Sequence, residues 1–254
     1  MKVEDIKIIG VLGLGTMGSG IAQVCATFGF KVIGRDLNDE LLNRAKENII
    51  SGRFGLKTGL ERGKVTKEQY EQALNNLKFT TSMEELCKNS DVIIECVPEI
   101  LDLKLKVFRE MDKLCPPHTI LASNTSGYPI TAMAGATDRP DKVIGMHWFN
   151  PAPVMRLIEV VKTKQTSEET VNCIKDLAIK LGKTPIVIND APERYGFVAN
   201  RAYAGLVREC RAIVEEGIAT PEQVDLALKL GYGFPMGPFE LTGLVGRLGR
   251  EEKR

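Results

Sequence analysis

A histidine and a carboxylate twelve residues apart, His147 and Glu159, form the pair in this chain best suited to moving a proton. His147 is one of only two histidines and stands in Met146-His147-Trp148-Phe149-Asn150-Pro151, beside the only tryptophan. Glu159 interrupts the apolar run Leu157-Ile158-Glu159-Val160-Val161. A carboxylate in such a run is costly unless it is paired, and His147 is its natural partner. Bound to one ring nitrogen, it would fix the tautomer and raise the basicity of the other nitrogen, as a general base requires. The alternative places Glu159 on an exposed strand face. The second histidine, His118, follows Cys115-Pro116-Pro117 and reads as a surface turn residue without a role.

A second constellation lies near the N-terminus. The apolar run of residues 7–12 leads into Gly13-Leu14-Gly15-Thr16-Met17-Gly18, then a helix-like run of small and apolar residues, then a second apolar run ending at Asp36. Strand, glycine loop and helix in this order form a dinucleotide-binding signature. Gly13 permits the turn, Gly15 lets backbone approach a pyrophosphate, and Gly18 lets helix pack on strand. The helix N-terminus at Thr16 and Met17 offers N–H groups and a positive dipole end to phosphate. Asp36 lies where a carboxylate receives the adenine-ribose hydroxyls, and it repels a 2′-phosphate, which favours NAD over NADP. Adjacent Arg35 has the opposite tendency.

Further apolar runs at residues 92–97, 120–122, 143–146, 157–161 and 185–188, with helical patterns between most of them, extend a sheet whose strand ends gather these groups. The fold expected is α/β: a Rossmann-type doubly wound sheet over residues 1–189, then a small all-helical C-terminal domain over residues 190–254. Ligands in such sheets bind beyond the carboxyl ends of the strands. That places Glu99, Lys104 and the polar cluster Ser123-Asn124-Thr125-Ser126-Gly127 near a ligand. Glu99 and Lys104 read equally as a helix-start acid and a solvated lysine, and the hydroxyls as helix caps.

A helical hairpin is expected as an insert over about residues 38–78, with a glycine-rich break at 51–63 and a capping box at Thr66-x-x-Gln69. A second box is expected at Ser82-x-x-Glu85. Bases outnumber acids two to one between Arg44 and Lys78, an excess that suits an anionic ligand or simply a solvated helical face.

Composition narrows the function classes. The net charge of +1 gives no reason to expect nucleic acid or a membrane surface as partner. No apolar run approaches the ~20 residues of a membrane span, and no leader architecture is read at the N-terminus. The six cysteines are scattered without C-x-x-C spacing, so reduced, mostly buried thiols and no metal site are expected. A cytoplasmic location follows as an expectation.

Four segments carry a resemblance: Gly13-Leu14-Gly15-Thr16-Met17-Gly18, Ala122-Ser123-Asn124-Thr125-Ser126, His147-Trp148-Phe149-Asn150-Pro151-Ala152-Pro153-Val154-Met155 and Gly233-Phe234-Pro235-Met236-Gly237-Pro238. In this order the chain resembles L-3-hydroxyacyl-CoA dehydrogenases, the short-chain 3-hydroxybutyryl-CoA branch most closely. The resemblance implies reversible, NAD-linked oxidation of an L-3-hydroxyacyl-CoA to the 3-oxoacyl-CoA. It implies His147 as base, Glu159 as the carboxylate that orients it, and Ser126 and Asn200 as holders of the reacting oxygens. It also implies Glu99, Lys104 and Asn124 beside the cofactor, coenzyme A near Arg53 and Lys57, and a homodimer through the helical domain.

The chain departs from the family pattern at three places. Gly127 stands where many members carry a second serine. The link Asp190-Ala191-Pro192-Glu193-Arg194-Tyr195-Gly196 is longer than usual. The end, residues 244–254, reads as a shortened and charged tail. Two other readings stay open: a related dehydrogenase of a free hydroxy or sugar acid, and a non-catalytic relative of the lens-crystallin kind, which the shortened tail favours and the intact residue set disfavours.

Overall fold

Branched apolar runs separated by glycine, proline and polar turns form an eight-stranded sheet in the computed structural model, which describes residues 1–243. The elements alternate in chain order. They are β1 (Ile8–Leu12), α1 (Thr16–Thr27), β2 (Lys31–Arg35), α2 (Asp39–Ser51), α3 (Leu56–Glu61), α4 (Lys67–Asn76), β3 (Leu77–Thr80) and α5 (Met83–Asn89). After these come β4 (Val92–Glu95), α6 (Leu101–Leu114), β5 (Ile120–Ser123), α7 (Ile130–Ala134), β6 (Val143–Trp148), β7 (Leu157–Lys162), α8 (Glu168–Lys180) and β8 (Thr184–Asn189). The strand order is β3-β2-β1-β4-β5-β6-β7-β8. Neighbours are parallel except β6 and β7, which run antiparallel.

The order reverses between β1 and β4. Chain leaving β1 turns one way and chain entering β4 the other, which opens a crevice at the carboxyl ends of the strands. β4 and β6 are buried along their whole length, as strands covered on both faces must be. The core continues through Ile9, Val11, Ile21, Ile94, Met146 and Ile158.

The insert departs from the expected hairpin. It holds three helices, because the glycine-rich break contains α3, anchored by the fully buried Leu56. Its first helix, α2, buries the stripe Leu42, Ala45 and Ile49. The capping box at Thr66 and Gln69 is complete. The box expected at Ser82 is half made: Ser82 accepts from the Glu85 N–H, but the Glu85 side chain turns to the Thr80 hydroxyl and the Lys78 ammonium.

The chain divides into two compact units, Met1–Tyr195 and the part from Gly196 onward. The division expected at 189/190 lies slightly upstream. Asp190 remains tied to the first unit because its Oδ2 accepts from the Thr131 N–H at 2.7 Å and hydroxyl at 2.6 Å. The second unit contains α9 (Val198–Glu215), α10 (Pro221–Tyr232) and a helical stretch at residues 238–243. Asp225 of α10 binds the N–H groups of Phe239 and Glu240, which fixes that stretch. The charged tail expected to be shortened lies outside the described residues.

The six cysteines are free, and all but Cys96 are buried. Among the described residues no helix is long and apolar enough to cross a membrane. No group of three or more His, Cys, Asp or Glu among them is placed to hold a metal ion.

Candidate active site

The glycine loop sits where β1 hands over to α1. Gly13 has φ +87° and lies so close to the Cys96 carbonyl that a Cβ would stand 2.8 Å from it. A Cβ on Gly18 would fall 1.8 Å from the Gly13 oxygen, so only glycine lets α1 start this near the strand. Gly15 differs: no atom lies within 4 Å of where its Cβ would be. That open space is what a pyrophosphate needs. No side chain caps α1 at Gly15, so the first-turn N–H groups at Thr16 and Met17 face the space that phosphate would take. Asp36 stands at the end of β2 and binds the Leu14 N–H at 2.8 Å and its neighbour Leu37 N–H at 2.7 Å. It thereby ties the end of β2 to the glycine loop, with acceptor capacity left for hydroxyls. Arg35 donates to the Thr81 carbonyl at 3.2 Å. The loop, the open space and the carboxylate fit an NAD.

Next along the strand ends, a buried ion cluster sets the floor of the crevice. Glu95 is fully buried at the end of β4 and accepts from Val97 N–H at 2.7 Å, Lys104 at 2.8 Å and the Ser123 hydroxyl at 2.6 Å. Lys104, read from sequence as a cofactor contact or a solvated lysine, is 1% exposed. Its ammonium divides among Glu95, the Val97 carbonyl and Glu99. Burial pushes its pKa down, but the carboxylates of Glu95 and Glu99 outweigh this and hold it above its ordinary value. Lys104 therefore stands behind Glu99, whose carboxylate is the partly exposed member.

Glu99 also accepts from the Thr125 hydroxyl at 2.5 Å, the Ser126 N–H at 3.0 Å and the Tyr195 hydroxyl at 3.2 Å. Burial pushes it up, yet these donors and Lys104 hold it below the usual carboxylate range. One carboxylate thus fixes the 123–127 loop. Sequence reasoning singled out Glu159 because it breaks an apolar strand. Glu95 breaks Val92-Ile93-Ile94-Glu95-Cys96-Val97 in the same way, which is the signal in the sequence for its buried role.

His147 lies near the end of β6, beside β5, and is 3% exposed. Its Nδ1 is 2.7 Å from Glu159 Oε2, and Glu159 is fully buried. The exposed-face alternative for Glu159 is therefore excluded. The Phe149 ring packs at 4.5 Å from the imidazole, centroid to centroid. Asn124 accepts from the Trp148 N–H at 2.9 Å and gives its own N–H to the Glu95 carbonyl at 2.9 Å, linking the ends of β4, β5 and β6. Ser126 follows on the same loop and is half-buried.

The remaining expected residues lie on other elements. Arg53 and Lys57 are exposed on the insert, with the Arg53 guanidinium 5.4 Å from the Phe54 ring centre. Asn200 is exposed in the first turn of α9, in the second unit. His118 is exposed, as expected of a turn residue, and its Nε2 meets Asp91 at 3.1 Å.

With this geometry the chain was compared with known proteins. Residues 8–191 match the model of the 3-hydroxyacyl-CoA dehydrogenase NAD binding domain, and residues 196–251 that of the 3-hydroxyacyl-CoA dehydrogenase C-terminal domain. A probable 3-hydroxybutyryl-CoA dehydrogenase of Bacillus subtilis is 43% identical over 95% of this chain and 82% of its own length. The mitochondrial hydroxyacyl-coenzyme A dehydrogenase of Sus scrofa is 39% identical over 95% of this chain and 76% of its own. The crystal structure of (S)-3-hydroxybutyryl-CoA dehydrogenase from Ralstonia eutropha superposes with a TM-score of 0.89 at 38% identity, covering 95% of this chain and 83% of that one. The chain belongs to the 3-hydroxyacyl-CoA dehydrogenase family, NAD-dependent oxidoreductases that act on a CH–OH group.

Proposed function

We propose that the chain interconverts short-chain L-3-hydroxyacyl-CoA and 3-oxoacyl-CoA, the 3-hydroxybutyryl and acetoacetyl pair, with His147 as general base. The observation that carries this reading is the buried 2.7 Å contact between His147 Nδ1 and Glu159 at the strand edge that also holds the dinucleotide loop. The relatives named as 3-hydroxybutyryl-CoA dehydrogenases support the short chain length.

In the oxidation, His147 Nε2 takes the proton of the 3-hydroxyl. Glu159 holds Nδ1 protonated and stabilises the positive imidazolium that results. Bound NAD supplies the hydride acceptor for the substrate carbon. Ser126 and Asn200 bind the reacting oxygen, and the main contribution of the protein is orientation. Gly15, Thr16 and Met17 receive the pyrophosphate, Asp36 the adenine ribose, and Glu99, steadied by Lys104, the far end of the cofactor. Asn124 holds the strand ends beneath it. Arg53 and Lys57 are exposed bases that suit the phosphates of coenzyme A.

Leu226 and Leu230, one turn apart on α10, are 52% and 78% exposed. Such an apolar pair in a helical unit of this size supports a homodimer, and the solvated charged surface suits a cytoplasmic enzyme. Loss of NADH absorbance with acetoacetyl-CoA, and none with NADPH, is the expected result. Equal or greater turnover of a free 3-oxo acid would replace this reading with a dehydrogenase of free hydroxy acids. Absence of turnover with every such substrate would leave a non-catalytic relative.

A further inference from the structure

Lys183, between α8 and β8, is a buried ammonium that the reaction above does not use. It is 9% exposed, and no carboxylate pairs with it among the described residues. Instead its Nζ donates to the Ala152 carbonyl at 2.6 Å and the Met155 carbonyl at 2.8 Å. It also lies 5.4 Å from the Trp148 ring centre. A buried cation without a counter-ion is expensive, and carbonyl dipoles and an aromatic face are what can solvate one. Both carbonyls belong to the loop that follows His147 and Trp148. The same loop lies on the nucleotide helix: a Cβ built on Gly20 of α1 would meet Ala152 Cβ at 3.1 Å and Pro153 Cδ at 3.2 Å.

We propose that Lys183 is a positioning residue that clamps the 149–155 loop through Ala152 and Met155, and so holds the base-bearing end of β6 in register with α1. The proposal rests on His147 acting as base and α1 receiving the pyrophosphate. Proton and hydride transfer both need sub-ångström placement, and a misplacement of about 1 Å can cost ~100-fold in rate. Lys183 touches neither substrate nor cofactor. It fixes the distance between the elements that do.

Burial lowers the Lys183 pKa to about 8. The titratable group facing it is the Cys25 thiol of α1, which burial pushes up to about 12 and which stays neutral below that. The lone Trp148 under the ammonium is therefore a built-in reporter.

The test uses the full chain with NADH and acetoacetyl-CoA. Lys183→Met should lower kcat by about tenfold or more, with KM for acetoacetyl-CoA within roughly threefold of wild type. Trp148 emission in the wild type should change with a midpoint near pH 8, a transition kept in His147→Gln and lost in Lys183→Met. Gly20→Ala pushes the same loop without touching the charge; it should lower kcat and keep the transition. Wild-type kcat in Lys183→Met overturns the proposal, as does survival of the transition there. If Lys183→Met does not fold, wild-type kcat in Gly20→Ala overturns it. If the wild type does not oxidise NADH with acetoacetyl-CoA, the substrate assignment fails, and the clamp is then judged on the Trp148 transition alone.

Discussion

His147 and Glu159 are direct cross-strand partners in the antiparallel pair β6 and β7, with Nδ1 2.7 Å from Oε2. Residues opposite one another in such a pair project to the same face. The backbone ladder, rather than a flexible loop, therefore sets the distance between imidazole and carboxylate.

Two substitutions separate the roles in this pair. His147→Gln should lower kcat about 10²- to 10⁴-fold while NADH binding, read from quenching of Trp148, stays near wild type. Glu159→Gln keeps the shape and removes the charge. It should also lower kcat by ~100-fold, and it should shift the pH profile of kcat, because the imidazolium loses its counter-charge. Full turnover in His147→Gln would remove it from the mechanism.

The glycine loop should respond differently at two positions. Gly15→Val places a side chain in the open space proposed for the pyrophosphate, so thermal stability should be near wild type while NADH affinity falls by ~100-fold or more. Gly18→Ala instead drives a Cβ onto the Gly13 oxygen. It should lower stability by about 1–3 kcal/mol, the usual range for overpacking, visible as a fall in Tm.

Asp36→Asn and Asp36→Ala separate the loop contact of Asp36 from the ribose role proposed for it. Asparagine can still accept from the Leu14 N–H and should mainly relax discrimination against NADPH. Alanine also frees the loop, and should raise the KM for NADH by roughly 10- to 100-fold, the worth of a charge-assisted hydrogen bond of ~1.5–3 kcal/mol. Initial rates with both nucleotides measure the difference.

The Glu95–Lys104–Glu99 cluster should give the fold a defined pH window. The Glu99 pKa is lowered from 4.5, so its contribution is present above that value and lost as pH falls below it. The Lys104 pKa is raised from 10.5, so its contribution is complete below that value and lost as pH rises beyond it. Tm against pH should be flatter on the acid side for Glu99→Gln. Lys104→Met leaves Glu95 buried without its cation and should cost about 3–5 kcal/mol, measurable by urea denaturation.

Much of the site was legible because its chemistry has local signatures. Three glycines at fixed spacing demand a tight turn, a close approach and helix–strand contact; the fold itself requires glycine at Gly13 and Gly18, while Gly15 faces open space. A carboxylate inside Leu157-Ile158-Glu159-Val160-Val161 demands a partner, and the number of histidines left few choices. The insert was misjudged because a short helix such as α3 has almost no periodicity. One buried leucine, Leu56, and a glycine cap are its whole signal.

What the sequence determined by itself was most of the elements, α3 excepted, and the fingerprint chemistry, since both depend on residues near one another along the chain. Only the tertiary structure decided the partners of the buried lysines. Lys104 and Lys183 are indistinguishable from solvated lysines in sequence, yet one is buried between two carboxylates and the other beneath a loop some thirty residues upstream. The strand order decided this. It brings the ends of β4, β5 and β6 side by side, and burial then forces each charge there to find a partner.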